Sequence, residues 1–141
     1  IETKRKYYGD KYKINTYDHY VEMLNQEKDV DAVVVMSPSG MHFEHSTKII
    51  KKFKKHVILE KPPCMNKTQL VSLYNTAKKY KKKIYPVFQN RNNKCVLKIK
   101  EQIEKNKLGK IRLVNLSLRW CRPQRYYNLS KWRGTYSKKY L

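Results

Sequence analysis

Acidic residues are scarce in this chain of 141 residues: 11 Asp and Glu stand against 33 Lys and Arg, a net charge of +22. Glycine is scarcer still. Gly9, Gly40, Gly109 and Gly134 stand far apart, which excludes a Gly-rich phosphate-cradling turn within these residues, because that turn needs its glycines in one short loop. The three cysteines, Cys64, Cys95 and Cys121, are odd in number and widely spaced, so no paired zinc or redox spacing is present. Reduced thiols in a cytosol-like compartment are the expectation. No apolar run has the length of a membrane helix, and Ile1-Glu2-Thr3-Lys4-Arg5-Lys6 is not followed by the apolar stretch of a secretion signal. The reading is a soluble, cytoplasmic protein with no membrane partner. The first residues look like the end of a helix and do not begin with Met, so a piece of something longer is expected.

The shortage of acid invites a nucleic-acid reading, since clustered Lys and Arg bind phosphate backbones. The distribution argues against it. Lysines are spread through every segment, as in Lys51-Lys52-Phe53-Lys54-Lys55 and Lys78-Lys79-Tyr80-Lys81-Lys82-Lys83, on what should be the wet faces of helices.

Against that background, three β-like runs stand out: Ala32-Val33-Val34-Val35-Met36, His56-Val57-Ile58-Leu59 and Ile84-Tyr85-Pro86-Val87-Phe88. Each is followed at once by a polar motif: Ser37-Pro38-Ser39-Gly40-Met41-His42, Glu60-Lys61-Pro62 and Gln89-Asn90-Arg91. Helix-like segments fill the gaps. Phe43, Ile50 and Phe53 mark the inner face of one helix; Leu70, Leu73, Tyr74, Ala77 and Tyr80 form the stripe of another, capped by Asn66 or Thr68. A shorter helix from Asp18 to Gln26 carries Tyr20, Met23 and Leu24 behind Thr16 or Asp18 as cap, and Ile14-Asn15-Thr16 reads as a short strand before it. Repeated β-α-β units imply a parallel sheet, and in such sheets ligands bind outside the carboxyl ends of the strands. The three polar motifs therefore read as one site.

Beyond the third motif, a helix near Asn93 to Asn106 presents Val96, Ile99 and Ile103, and a long alternating strand is expected from Ile111 to Arg119. The fold class is thus α/β: an incomplete Rossmann-type doubly wound parallel sheet over 1–91, followed over 92–141 by the start of an α+β second domain. In the 3-2-1-4-5-6 strand order, two central strands are missing, which leaves an apolar edge on the strand ending at Met36.

The order Pro-Ser-Gly-x-His, Glu-Lys-Pro, then Gln-Asn-Arg resembles the nucleotide-dependent sugar oxidoreductases of the glucose-fructose oxidoreductase, inositol dehydrogenase and MocA family. Trp120-Cys121-Arg122-Pro123-Gln124-Arg125-Tyr126-Tyr127, followed by Trp132-Arg133-Gly134-Thr135, looks like the branch that oxidises the 3-hydroxyl of a UDP-linked N-acetylated amino-sugar uronate. The resemblance implies NAD or NADP as cofactor, a nucleotide-sugar substrate in surface-glycan biosynthesis, and homo-oligomeric intact relatives. Two parts of the family pattern are absent: the Gly-rich phosphate turn, and a Gly-rich segment with a catalytic His beyond Thr135. No turnover is expected from these residues in isolation, and a non-catalytic remnant or sugar-nucleotide-binding fragment stands as the alternative.

The resemblance also implies roles. Lys61, stiffened by Pro62-Pro63, lies beside nicotinamide and sugar, as proton acceptor or relay; otherwise it is one more surface lysine. Ser37, Pro38 and His42 lie along the cofactor, although His42 could instead cap the following helix. His42 and His45 share a helical face, but no acid or thiol completes a metal set, so no metal is expected. Glu60 accepts from a ribose hydroxyl or pairs with a neighbouring lysine. Gln89 and Arg91 meet the nicotinamide ribose or the substrate, unless Arg91 closes a neighbouring element. Between Arg119 and Arg133, guanidinium groups alternate with rings, a pattern suited to a diphosphate and a base or sugar, to single-stranded nucleic acid, or to a second core. Tyr126, Trp132 and Arg133 are the expected substrate contacts.

Overall fold

The computed structural model describes residues 2–129 and 133. Each of the three β-like runs is a strand, β1 (Ala32–Val35), β2 (His56–Leu59) and β3 (Ile84–Pro86). They form one open parallel sheet in the order β1-β2-β3, with β1 at its edge. Alternation along each strand separates the two faces. Val33, Val57 and Ile84 share one row and Val35, Leu59 and Pro86 the next, while Val34, Ile58 and Tyr85 point the opposite way. The first two rows face the core.

That core is built by helices on one side of the sheet. Leu73 and Ala77 of α4 (Lys67–Lys79) and Leu24 of α2 (Tyr20–Gln26) pack with Ile49, Ile50, Val33, Val35, Val57 and Leu59. Asn66 is the cap of α4, accepting from the Gln69 amide at 2.9 Å. The segment after β1 makes a 3-10 turn (Ser39–Met41), then α3 (His42–Lys48), which runs into a π-helical stretch (Ile49–Phe53). A wider turn carries more residues per revolution, and the adjacent Ile49 and Ile50 are both buried there. The other side of the sheet carries no covering helix among the described residues, and Val34 and Met36 are exposed.

Three expectations are corrected. Ile14-Asn15-Thr16 is not a strand: no neighbouring strand among the described residues offers a ladder, and Asn15 and Tyr17 instead donate side-chain hydrogen bonds to Glu27, at 2.8 and 2.5 Å. The cap of α2 is neither Thr16 nor Asp18 but His19, whose Nδ1 accepts from the Val21 amide. Ile111 to Arg119 is not a strand either. Alternation supplies two-faced side chains, but a strand also needs a partner for its N–H and C=O groups, and none lies alongside among the described residues. The helix before it, α5 (Lys94–Glu104), buries none of its apolar face: Val96, Ile99 and Ile103 are exposed. The remaining helices are α1 (Glu2–Tyr12), which has no buried residue, and α6 (Gln124–Asn128). No helix among the described residues is long and apolar enough to cross a membrane.

Candidate functional site

The turns after β1, β2 and β3 meet. Two cavities open at the carboxyl ends of the strands and share Lys61 and Gln89. The first, of about 480 Å³, adds Ser37, Pro38, Ser39 and Glu60. The second, of about 540 Å³, adds Pro62, Pro63, Phe88, Arg91 and Trp120. Lys61 is exposed and stands where both open. A larger cavity of about 740 Å³ lies elsewhere, along α4 by Lys51, Lys67 and Lys79, and none of the three motifs reaches it.

Backbone and side chains fix this geometry together. The Glu60 amide donates to the Val35 carbonyl and the Val87 amide to the Leu59 carbonyl, so the ladder continues to the brink of each motif. One carboxylate oxygen of Glu60 accepts from the Lys61 amide at 2.7 Å, and Glu60 makes none of the four ion pairs among the described residues. Its second oxygen can accept from a sugar diol. The Lys61-Pro62 peptide is cis. Arg91 lies over the Phe88 ring, 5.8 Å from its centre, on the wall of the second cavity.

His42 sits in the turn after β1, beside the first cavity. It is only 1% exposed, with Nδ1 2.7 Å from the Pro62 carbonyl oxygen and Nε2 2.7 Å from the Ser37 carbonyl oxygen. Both ring nitrogens are thus directed at backbone, and the side chain ties the turn after β1 to the turn after β2. His45 meets the Ser37 hydroxyl at 3.1 Å and packs on the Tyr20 ring. No group of three metal-ligating side chains converges among the described residues.

The later segment is brought in only in part. Trp120, not singled out as a contact from sequence, lines the cavity that holds Lys61. Tyr126 and Arg133 do not line it; they pair with each other, the Arg133 guanidinium lying 4.4 Å from the Tyr126 ring centre and donating to the Tyr126 carbonyl at 3.1 Å. Trp132 lies outside the described residues.

Cys64, three residues after Lys61, packs against the core, and burial pushes its thiol up. A raised pKa means less thiolate at a given pH, and the thiolate is the reactive form. At pH 8 Cys64 should therefore be alkylated roughly tenfold more slowly than the exposed Cys95 and Cys121, as read by mass spectrometry after a short iodoacetamide pulse.

A parallel open sheet with polar turns gathered at its carboxyl edge defines a dinucleotide-binding α/β protein. The family described as "Oxidoreductase family, NAD-binding Rossmann fold" matches residues 2–88. The chain belongs to that family, the glucose-fructose oxidoreductase, inositol dehydrogenase and MocA oxidoreductases. It is 33% identical over 102 residues to the uncharacterized oxidoreductase YhhX of Escherichia coli, covering 72% of this chain and 29% of that one. It is 30% identical over 107 residues to a scyllo-inositol 2-dehydrogenase (NADP(+)) of Bacillus subtilis, covering 75% of this chain and 29% of the relative. Among solved structures, the WlbA dehydrogenase of Chromobacterium violaceum, in complex with NADH and UDP-GlcNAcA, matches 96% of this chain and 39% of its own, with a TM-score of 0.87 and 30% identity. The Bordetella pertussis WlbA dehydrogenase, with the same two ligands, matches 96% and 39% at a TM-score of 0.86 and 26% identity. The chain thus spans 29% of the length of those two curated relatives and 39% of the WlbA chains.

Around the first cavity stand a free carboxylate oxygen of Glu60, the amide of Gln89 and the polar turn Ser37–Ser39, a donor and acceptor set that fits the hydroxyls of a ribose. For the pyrophosphate of a dinucleotide these residues hold no Gly-rich cradle.

Proposed function

We propose that this chain supplies the nicotinamide-side and substrate-side walls of an NAD-dependent dehydrogenase that oxidises a hydroxyl of a nucleotide-linked amino sugar. The substrate is a UDP-N-acetylglucosaminuronate-like molecule, oxidised at its 3-hydroxyl. The observation that carries the reading is Lys61, which lines both of the neighbouring cavities, of about 480 and 540 Å³, at the carboxyl ends of the strands. The likeness to two dehydrogenases complexed with NADH and UDP-GlcNAcA supports the choice of ligands.

The chemistry follows from that placement. Bound nicotinamide supplies the hydride acceptor. Ser37, Pro38, Glu60 and Gln89 orient it along the first cavity, and Arg91 faces the substrate in the second. Lys61 holds the reacting hydroxyl and relays its proton outward as the C–H bond breaks, which converts an alcohol to a ketone without stranding charge. His42 acts at one remove, holding the Pro62 and Ser37 turns so that the amine and the cofactor rim keep their spacing.

Isothermal titration of the chain with UDP-GlcNAcA, NADH and single-stranded DNA tests the reading. Saturable UDP-GlcNAcA binding that weakens on Lys61→Met is expected. No response to the sugar nucleotide, with tight salt-dependent DNA binding that survives the substitution, overturns it in favour of a basic nucleic-acid binder.

A further inference from the structure

We propose that Trp120 and Arg122 determine specificity for the sugar nucleotide, Trp120 as the wall against the sugar ring and Arg122 as the ligand of the diphosphate. The inference rests on the function proposed above.

Its starting point is a ladder of rings and guanidinium groups that leads out of the Lys61 cavity. Trp120 is its first rung: it lines the cavity with Lys61 and Arg91, yet 65% of it remains exposed. An indole at a cavity wall with most of its surface exposed can stack on the apolar C–H face of a sugar. The guanidinium of Arg122 comes next, 5.2 Å from the Trp120 ring centre and 5.2 Å from that of Tyr126. Arg133 follows on Tyr126.

Stacking engages the face of a guanidinium and leaves its N–H edge for oxyanions, which Lys cannot imitate. Arg122 takes part in none of the four ion pairs among the described residues. A fixed, planar donor without a carboxylate partner suits bidentate contact to a diphosphate. The sequence of groups then matches the ligand: the reacting hydroxyl at Lys61, the pyranose at Trp120, the diphosphate at Arg122 and the nucleoside beyond, towards Tyr126. The sequence places Trp120 and Arg122 in a ring-and-guanidinium pattern suited to a sugar nucleotide, but singles out Tyr126, Trp132 and Arg133 as the contacts.

Calorimetric titration of the full chain with UDP-GlcNAcA, UDP and UMP tests the assignment, with circular dichroism to check that each variant keeps its fold. Arg122→Lys should weaken UDP and UDP-GlcNAcA by about tenfold or more while changing UMP far less. Trp120→Ala should weaken UDP-GlcNAcA by about tenfold with little effect on UDP, and Trp120→Phe should restore most of the loss. Equal losses for all three ligands, or none, overturn the assignment and leave the proposed function standing. Failure of the unaltered chain to bind UDP-GlcNAcA overturns both.

Discussion

On the proposed function, Lys61→Met in an active dehydrogenase that contains this chain is expected to lower kcat for NADH formation from UDP-GlcNAcA by about 10²- to 10⁴-fold, the usual contribution of a positioned proton-transfer group. KM should rise with the lost hydrogen bond to the hydroxyl, but by much less than kcat falls, because the proton leaves only on the way to the transition state. The amine stands at the junction of the two cavities, and no other lysine among the described residues lines either of them. Lys61→Arg should fail to rescue, since a guanidinium keeps the charge but does not give up its proton at neutral pH. A full rate in Lys61→Met would remove Lys61 from the chemistry and leave it as one exposed lysine among many.

Leu73→Ala is expected to cost about 2–5 kcal/mol, the range for a fully buried leucine truncated in a packed core. Leu73 is completely buried and belongs to the single cluster in which α2, the π-helical stretch and α4 close over the sheet. With total stabilities of about 5–15 kcal/mol typical of folded domains, and one face of this sheet uncovered, a loss of that size should take much of the chain's cooperativity. Val71→Ala, two residues away on the same helix but half-exposed, should change stability by less than about 0.5 kcal/mol. Urea denaturation followed by circular dichroism distinguishes them, and similar midpoints for the two variants would mean that α4 is not packed on the sheet as described.

Much of this was legible before any coordinates. The strands could be read because the interior of a parallel sheet demands short β-branched runs, and the polar motifs mark where those runs stop. Asn66 could be read because a short side-chain acceptor just before an apolar stripe has one obvious task. What escaped is what depends on distant partners. The stretch 111–119 has the right alternation for a strand, yet nothing in its own residues reports whether a neighbour is there to pair with it. His42 could be placed near the cofactor by its motif, but its burial depends on the Pro62 carbonyl, twenty residues on and contributed by another turn. Trp120 is one ring among several in a segment without a readable period; only its return to the Lys61 cavity distinguishes it.

The three motif-bearing turns hang from the same rim of the sheet, each tethered to its own strand and tied to its neighbours mainly through His42 and the last rungs of the ladder. Chemistry and scaffold are therefore separable here. Side chains of one turn can be exchanged on such a rim without reinventing the layer beneath. The anchoring imidazole is the piece least free to wander, because losing it would let two turns slacken at once.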